Sequence, residues 1–160
     1  MRRLTMALAL PFLLAACGGG DTEEQAGTAA DTVAMALAAY DPALFDTISW
    51  SADSAQNNRG VVVWNFSCKK CHGQLGHGDG EDLAKLAELG DTVAPPNFAT
   101  SWRFGSDKEA VIKAIFAGSA EGMPHWGVSG MKPRDIDAVA AYTLQHVVGI
   151  SDMTVQTSKD

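Results

Sequence analysis

Two cysteines and a histidine within five residues constrain this chain more than any other feature of its sequence. Cys68 and Cys71 are separated by two lysines, and His72 follows directly. A thioredoxin-like redox motif has the same cysteine spacing but needs a βαβ setting, and a structural zinc site needs about four ligands. The sequence has no convincing strand pattern and no second cysteine pair. The motif is therefore typical of covalent c-type haem attachment, in which two thiols bond one porphyrin and the histidine lies beneath the iron.

The domain around this motif is predicted to be all-α, because apolar residues recur at helical spacing and no segment alternates. The predicted helices cover residues 55–71, 81–89, 107–117 and 133–148. Val62 and Phe66 are counted among the apolar positions of the first helix. Ser106 and Glu109 have the spacing of a capping box at the third, and Pro133 suits the first turn of the fourth.

An iron bound by this motif needs a sixth ligand or leaves that position open for chemistry. Met123 lies between Gly122 and Pro124, in a turn that can present one side chain rigidly. A thioether stabilises ferrous iron, which suits electron transfer. His125 and Met131 remain alternatives, although methionines are more often core residues.

The N-terminal sequence is typical of an export signal. A basic start at Met1–Arg3 precedes an apolar stretch that ends at Ala16, which is too short to span a bilayer. The segment Leu14–Cys17 resembles the lipobox of bacterial lipoproteins, in which the cysteine is lipidated and becomes the mature N-terminus. An ordinary signal peptide that ends at a chance cysteine is the alternative.

The chain is therefore divided into five parts. Residues 1–16 are a lipoprotein signal and 17–32 a lipidated, flexible acidic linker that holds the domain on the outer side of a membrane. Residues 33–55 are an N-terminal extension that partly wraps the core and begins with a helical turn or two. Residues 56–150 are predicted to form the haem-binding domain, and 151–160 a tail.

The charge of the chain limits its partners. Twelve basic and 19 acidic residues give a net charge of −7, and removal of residues 1–16 makes it −9. Nucleic acid is excluded, because phosphate repels an acidic surface. Redox partner proteins with positively charged docking surfaces are favoured, because complementary fields raise encounter rates.

Residues 56–150 resemble class I cytochrome c, and more narrowly the haem subunits of bacterial terminal oxidases. The resemblance implies a class I fold packed around one haem, with the first and last helices crossing at Gly60. It also implies that Met123 is the axial ligand and that the carbonyl of Pro96 accepts the proton of His72. The matching positions are Gly60, Trp64, the haem motif, Pro95–Phe98, Ser101–Gly105, Gly118, Gly122–Trp126, Val139 and Tyr142.

Three functions fit these features. The first is a membrane-tethered carrier of single electrons that is not itself an enzyme. The second is a haem subunit fixed within a larger respiratory oxidoreductase, which exposed apolar residues in the extension would favour. The third is a haem sensor or peroxidase with a labile sixth ligand. Trp102 and Arg103 are candidates either for a haem propionate or for ordinary surface roles.

Overall fold

The computed structural model describes residues 28–149, and within this range it is helical and contains no strand. The predicted all-α class is confirmed. The predicted signal peptide, Cys17 and the tail 151–160 lie outside the described residues. The helices are α1 (Ala29–Ala38), α2 (Ala43–Asp46), α3 (Asp53–Val63), α4 (Lys69–His72), α5 (Leu83–Glu88), α6 (Phe98–Ser101), α7 (Lys108–Ala117) and α8 (Pro133–Tyr142), with π-helical segments at Trp64–Cys68 and Thr143–Val148.

The core forms where α3 and α7 pack on α8. Gly60 is the closest approach of α3 to α8. A Cβ atom at this position would lie 2.5 Å from both the carbonyl oxygen of Ala138 and the Cβ of Tyr142. Only glycine permits this spacing, so the predicted crossing of the first and last helices at Gly60 is confirmed. Trp64 lies one turn later and is buried in the same core.

The first predicted helix is not one regular α-helix. Between α3 and α4 the chain forms the π-helical segment Trp64–Cys68, a widened turn that alters which side chains share a face. The buried positions here include Val63, Trp64 and Cys68. Val62 and Phe66, which were counted among the apolar positions of this helix, are 43% and 75% exposed, so they do not belong to its buried face.

The start of α7 also differs from the prediction. The N-cap is Asp107, whose carboxylate accepts a hydrogen bond from the amide of Ala110 at 3.0 Å. The predicted capping box at Ser106 and Glu109 is therefore wrong by one residue. Both aspartate and serine are good caps, and the backbone at Asp107 takes the extended conformation that a cap requires.

The N-terminal extension is helical from Ala29, four residues earlier than Val33. A capping box of Thr28 and Asp31 starts the helix, since each side chain bonds the backbone of the other residue.

The extension is attached to the domain at two places. The ring of Tyr40 meets the ring of Phe116 on α7 edge-on, with 5.4 Å between their centroids. The indole N–H of Trp50 donates to the buried carboxylate of Asp137 on α8 at 2.8 Å. Arg134 stacks over Trp50 and donates to the carbonyl of Ser49. The segment before α3 therefore packs as part of the domain.

Candidate haem site

The haem motif is held by the glycine-rich loop that follows it. The amides of Gly78, Gly80 and Asp82 donate to the carbonyls of His72, Cys71 and Lys70 at 2.9, 3.1 and 3.0 Å, respectively. The last carbonyls of a helix lack partners within it, so the loop supplies the hydrogen bonds that the end of α4 needs. The motif is thus fixed by its backbone.

Glycine is needed in this loop for two different reasons. Gly78 has a φ of +74°, a conformation that other residues rarely adopt. A Cβ atom at Gly80 would collide with the carbonyl of Lys70, which belongs to the motif itself. The loop can therefore lie against the motif only because these two positions have no side chain.

Cys68 and Cys71 are both free thiols. Burial raises the pKa of the Cys68 thiol to about 12, and the nearby Cys71 adds to the shift. Burial and the charge of Asp82 also raise the pKa of Cys71, against an opposing effect of Lys70. Each sulfur is thus a protonated thiol at neutral pH and is available to form a thioether.

The imidazole of His72 is suited to bind a metal. Burial lowers its pKa, so the ring is neutral at neutral pH, which is the form that ligates iron. Phe98 packs against it with 5.0 Å between ring centroids. The structure does not form the hydrogen bond to Pro96 that the resemblance implies. Nδ1 of His72 is buried and has no hydrogen-bond partner, and the imidazole ring is tilted relative to the ring of Phe98.

Met123 lies in a loop that is closed by hydrogen bonds between Met123 and Ser119, where the loop begins. The carbonyl of Met123 accepts a hydrogen bond from the amide of Ser119 at 3.0 Å, and its amide donates to the hydroxyl of Ser119 at 3.4 Å. A Cβ atom at Gly118 would collide with this carbonyl, so the loop lies directly against the end of α7. The side chain of Met123 is half-buried against the core.

The two alternative ligands have different surroundings. Met131 lines a groove on the outer side of α3 together with Val62 and Phe66. His125 is half-buried, and its Nδ1 has no hydrogen-bond partner.

The two propionate candidates contact residues of their own loop. Trp102 donates its indole N–H to the carbonyl of Gly105 at 2.8 Å, and the guanidinium of Arg103 lies 5.2 Å from the centre of the Phe104 ring. Sequence reasoning gave no role to Phe98, which contacts both His72 and Trp102. Its position beside the two prolines was the available signal.

These residues fit a c-type haem. Two free thiols, a neutral imidazole and a thioether in a fixed loop are the groups that such a haem uses. A zinc site does not fit, because no cluster of three or more histidine, cysteine or carboxylate side chains occurs between residues 28 and 149. Over the same range, no helix has the length and apolar character needed to cross a bilayer.

Comparison with known proteins places this site in a family. Residues 55–142, more than half of the chain, match the family described as cytochrome c oxidase, cbb3-type, subunit III. The cbb3-type cytochrome c oxidase subunit CcoP of Azospirillum brasilense is 36% identical over 76 residues, which are 48% of this chain and 24% of the relative. Subunit FixP of Azorhizobium caulinodans is 29% identical over 97 residues, which are 61% of this chain and 29% of the relative.

The chain thus matches only about a quarter of the length of these curated relatives. No solved structure matches it significantly. The matched segment contains the haem motif, the loop that caps it and the Met123 loop. The chain belongs to the family of cbb3-type cytochrome c oxidase subunit III.

Proposed function

We propose that this chain transfers single electrons through one c-type haem that is bonded to Cys68 and Cys71, with His72 and Met123 as axial ligands. When bound, the haem supplies an iron that alternates between the ferrous and ferric states. The observation that carries the proposal is the motif itself, with free thiols and capped carbonyls, in a chain of this oxidase-subunit family. One haem is proposed because the sequence has a single such motif.

The protein's part in this function is to hold both ligands still. The amides of the glycine-rich loop fix the backbone of Cys71 and His72, and the contact with Gly118 fixes the loop of Met123. Trp64 and Phe98 flank the imidazole and keep water from it. Fixed ligands keep the geometry alike in both oxidation states, which favours rapid electron transfer.

Covalent attachment is tested by haem staining after denaturing electrophoresis. We expect Cys68→Ser and Cys71→Ser each to weaken the stain, because each removes one of the two thioethers that retain the haem. Cys17→Ser is the control and should stain like the wild type. A wild-type protein that never stains would overturn the central proposal.

The axial ligand is tested by the far-red charge-transfer band of a methionine bound to ferric iron. We expect Met123→Ala to lose this band and His125→Ala and Met131→Ala to retain it. The hydrogen bonds that fix the backbone of the Met123 loop support this ranking. A wild-type protein without the band would support the sensor or peroxidase class instead, since such proteins need an open iron site.

A second candidate function is that of a fixed subunit in a larger oxidoreductase complex. The observation that favours it is the exposed apolar surface of the extension, where Met35, Leu37 and Leu44 are 71%, 41% and 45% exposed. The relatives are named as oxidase subunits. Purification from membranes in mild detergent separates the candidates, because a monomer supports the carrier and a persistent complex supports the subunit.

We also propose that Cys17 carries a lipid anchor and that the domain lies on the periplasmic side of the membrane. The lipobox-like sequence and the acidic linker support this location. Cys17→Ser should release the haem-stained protein into the soluble fraction. Continued membrane association of that variant would contradict the anchor, unless a purified complex accounts for it.

The net charge supports redox partners with positively charged surfaces. An acidic group of residues surrounds α5 and offers a site for them: Asp79, Glu81, Asp82, Glu88 and Asp91. Added salt should weaken binding of a basic redox protein to the wild type. Replacing these carboxylates by amides should reduce that salt dependence.

A further inference from the structure

A groove on α3 lies next to the haem motif, and none of the four residues proposed to hold the haem lines it. We name it the Phe66 groove. Its volume is about 290 Å³, and Phe66 is the most exposed large apolar side chain of the described residues. An exposed aromatic beside other apolar groups is typical of an interaction surface. The lining residues are Arg59, Val62, Val63, Phe66, Ser67, Met131 and Asp135.

The rim of this groove is basic, although the chain is acidic. Arg59 donates two hydrogen bonds of 2.7 Å to the carboxylate of Asp135. These bonds lower the pKa of Asp135, and the charges of Arg59, Lys132 and Arg134 lower it further. Arg59 and Asp135 compensate each other, so the local excess of positive charge comes from Lys132, which follows the lining residue Met131, and from Arg134, which is turned toward Trp50.

The groove also lies beside the proposed haem attachment. Ser67 lines it and directly precedes Cys68 in the sequence. A partner seated there would lie next to the segment that would hold the haem.

We propose that the Phe66 groove docks a redox partner protein that presents an apolar side chain surrounded by carboxylates. This proposal rests on the proposed electron transfer. Charge complementarity selects this occupant, because an acidic rim would face Lys132 favourably. A second copy of the chain would oppose the same cations to one another across a two-fold contact. The acidic surface around α5 remains free for a basic partner, so one chain could serve a donor and an acceptor of opposite charge.

The test uses two oxidants that differ in the sign of their charge. The anionic one is the cobalt(III) complex of bathophenanthroline disulfonate, and the cationic one is the cobalt(III) complex of phenanthroline. Each cobalt(III) ion takes one electron from the ferrous haem and becomes cobalt(II), while the haem becomes ferric. Stopped-flow absorbance gives the rate constant of each reaction with the haem-loaded protein at increasing ionic strength.

The charge around the groove determines whether added salt raises or lowers the rate constant. The anionic aromatic oxidant mimics the proposed partner, so its reaction with the wild type should slow several-fold as salt is added. The net charge of the chain alone would make this reaction faster with salt. Lys132→Gln should reduce the dependence of this rate constant on salt. The substitution should not unfold α8, because the Lys132 side chain makes no cap hydrogen bond at the start of this helix.

Phe66→Ser should slow the anionic reaction about threefold to tenfold, as loss of a central aromatic at an interface does. Leu89→Ser is the matched control, because Leu89 is 73% exposed but follows α5 on the acidic surface. It should leave the rate unchanged. An independent reading comes from amide chemical shifts of the ferrous protein when free bathophenanthroline disulfonate is added. The affected residues should be 59–67 and 131–135.

Several results would overturn the proposal. An anionic reaction that becomes faster with salt, or equal effects of Phe66→Ser and Leu89→Ser, would remove the groove as a docking site while leaving electron transfer intact. Oxidation by neither complex would instead contradict the proposed function. Sedimentation that shows a dimer lost in Phe66→Ser would assign the surface to a second copy. Binding to phosphatidylglycerol vesicles that is lost in Phe66→Ser would assign it to a lipid surface.

Discussion

Asp137 is the residue whose removal should destabilise the fold most clearly. The residue is 5% exposed, and its carboxylate accepts hydrogen bonds from the indole of Trp50 at 2.8 Å and the amide of Gln56 at 2.7 Å. It also pairs with the ammonium of Lys108. Asp137 thus joins the extension, α3 and α7 to α8 through one side chain.

The expected cost of Asp137→Ala follows from these partners. Each hydrogen bond to a buried charge contributes about 1.5 kcal/mol or more, and its loss leaves a donor of Trp50 or Gln56 unpaired. The ammonium of Lys108 adds little, because that side chain is 40% exposed and can return to water. The free energy of unfolding should fall by about 3 kcal/mol, and Tm by roughly 10 °C.

Denaturant unfolding of the haem-loaded protein measures this change, and Asp135→Ala is the control. Asp135 pairs with Arg59, whose side chain is 45% exposed, so its removal should cost at most about 1 kcal/mol. A double-mutant cycle with Trp50→Phe should give a coupling of about 1–2 kcal/mol between Trp50 and Asp137. The reasoning is refuted if both aspartate variants cost the same, or if the effects of Trp50→Phe and Asp137→Ala simply add.

Three further predictions concern local structure. Gly60→Ala should lower the free energy of unfolding by about 1–3 kcal/mol in denaturant titration, because the added Cβ overlaps α8. Asp107→Ala should lower the free energy of unfolding by about 1 kcal/mol in the same assay, and Ser106→Ala should leave it almost unchanged. A larger loss in Ser106→Ala would show that Ser106 is the cap, as the sequence predicted. Arg59 holds the pKa of Asp135 below its ordinary value by hydrogen bonding, so this pair stabilises the fold above about pH 4 and less as pH falls through the lowered pKa. Unfolding titrations at several pH values should show a weaker acid-side loss in Arg59→Gln.

The features that could be predicted from sequence are those that depend on short spacings. The haem motif requires only Cys68, Cys71 and His72 in the right order. The helix positions follow from apolar periodicity, and Gly60 could be placed at the crossing through the resemblance to class I cytochromes c. In each case a few neighbouring residues carry the information.

The features that were missed depend on details that periodicity does not contain. Apolar character alone does not show which face of the helix is buried: Phe66 is 75% exposed, whereas Trp64 and Cys68, four residues apart, lie in the core. Asp107 and Ser106 are both good caps, and only the backbone conformation distinguishes them. The pairing of Trp50 with Asp137 joins residues 87 positions apart, a distance at which sequence patterns give no signal.

The attachment of the extension changes how the two candidate functions should be weighed. A tether from Cys17 alone would leave the haem domain free to turn. The segment after it, however, packs on α7 through Tyr40 and on α8 through Trp50. Any protein that covers Met35 or Leu44 would therefore fix the orientation of the whole domain, and with it the direction of the Phe66 groove. An extension that is both rigidly attached and apolar on its outer face suits a subunit held in place better than a carrier that must turn between partners.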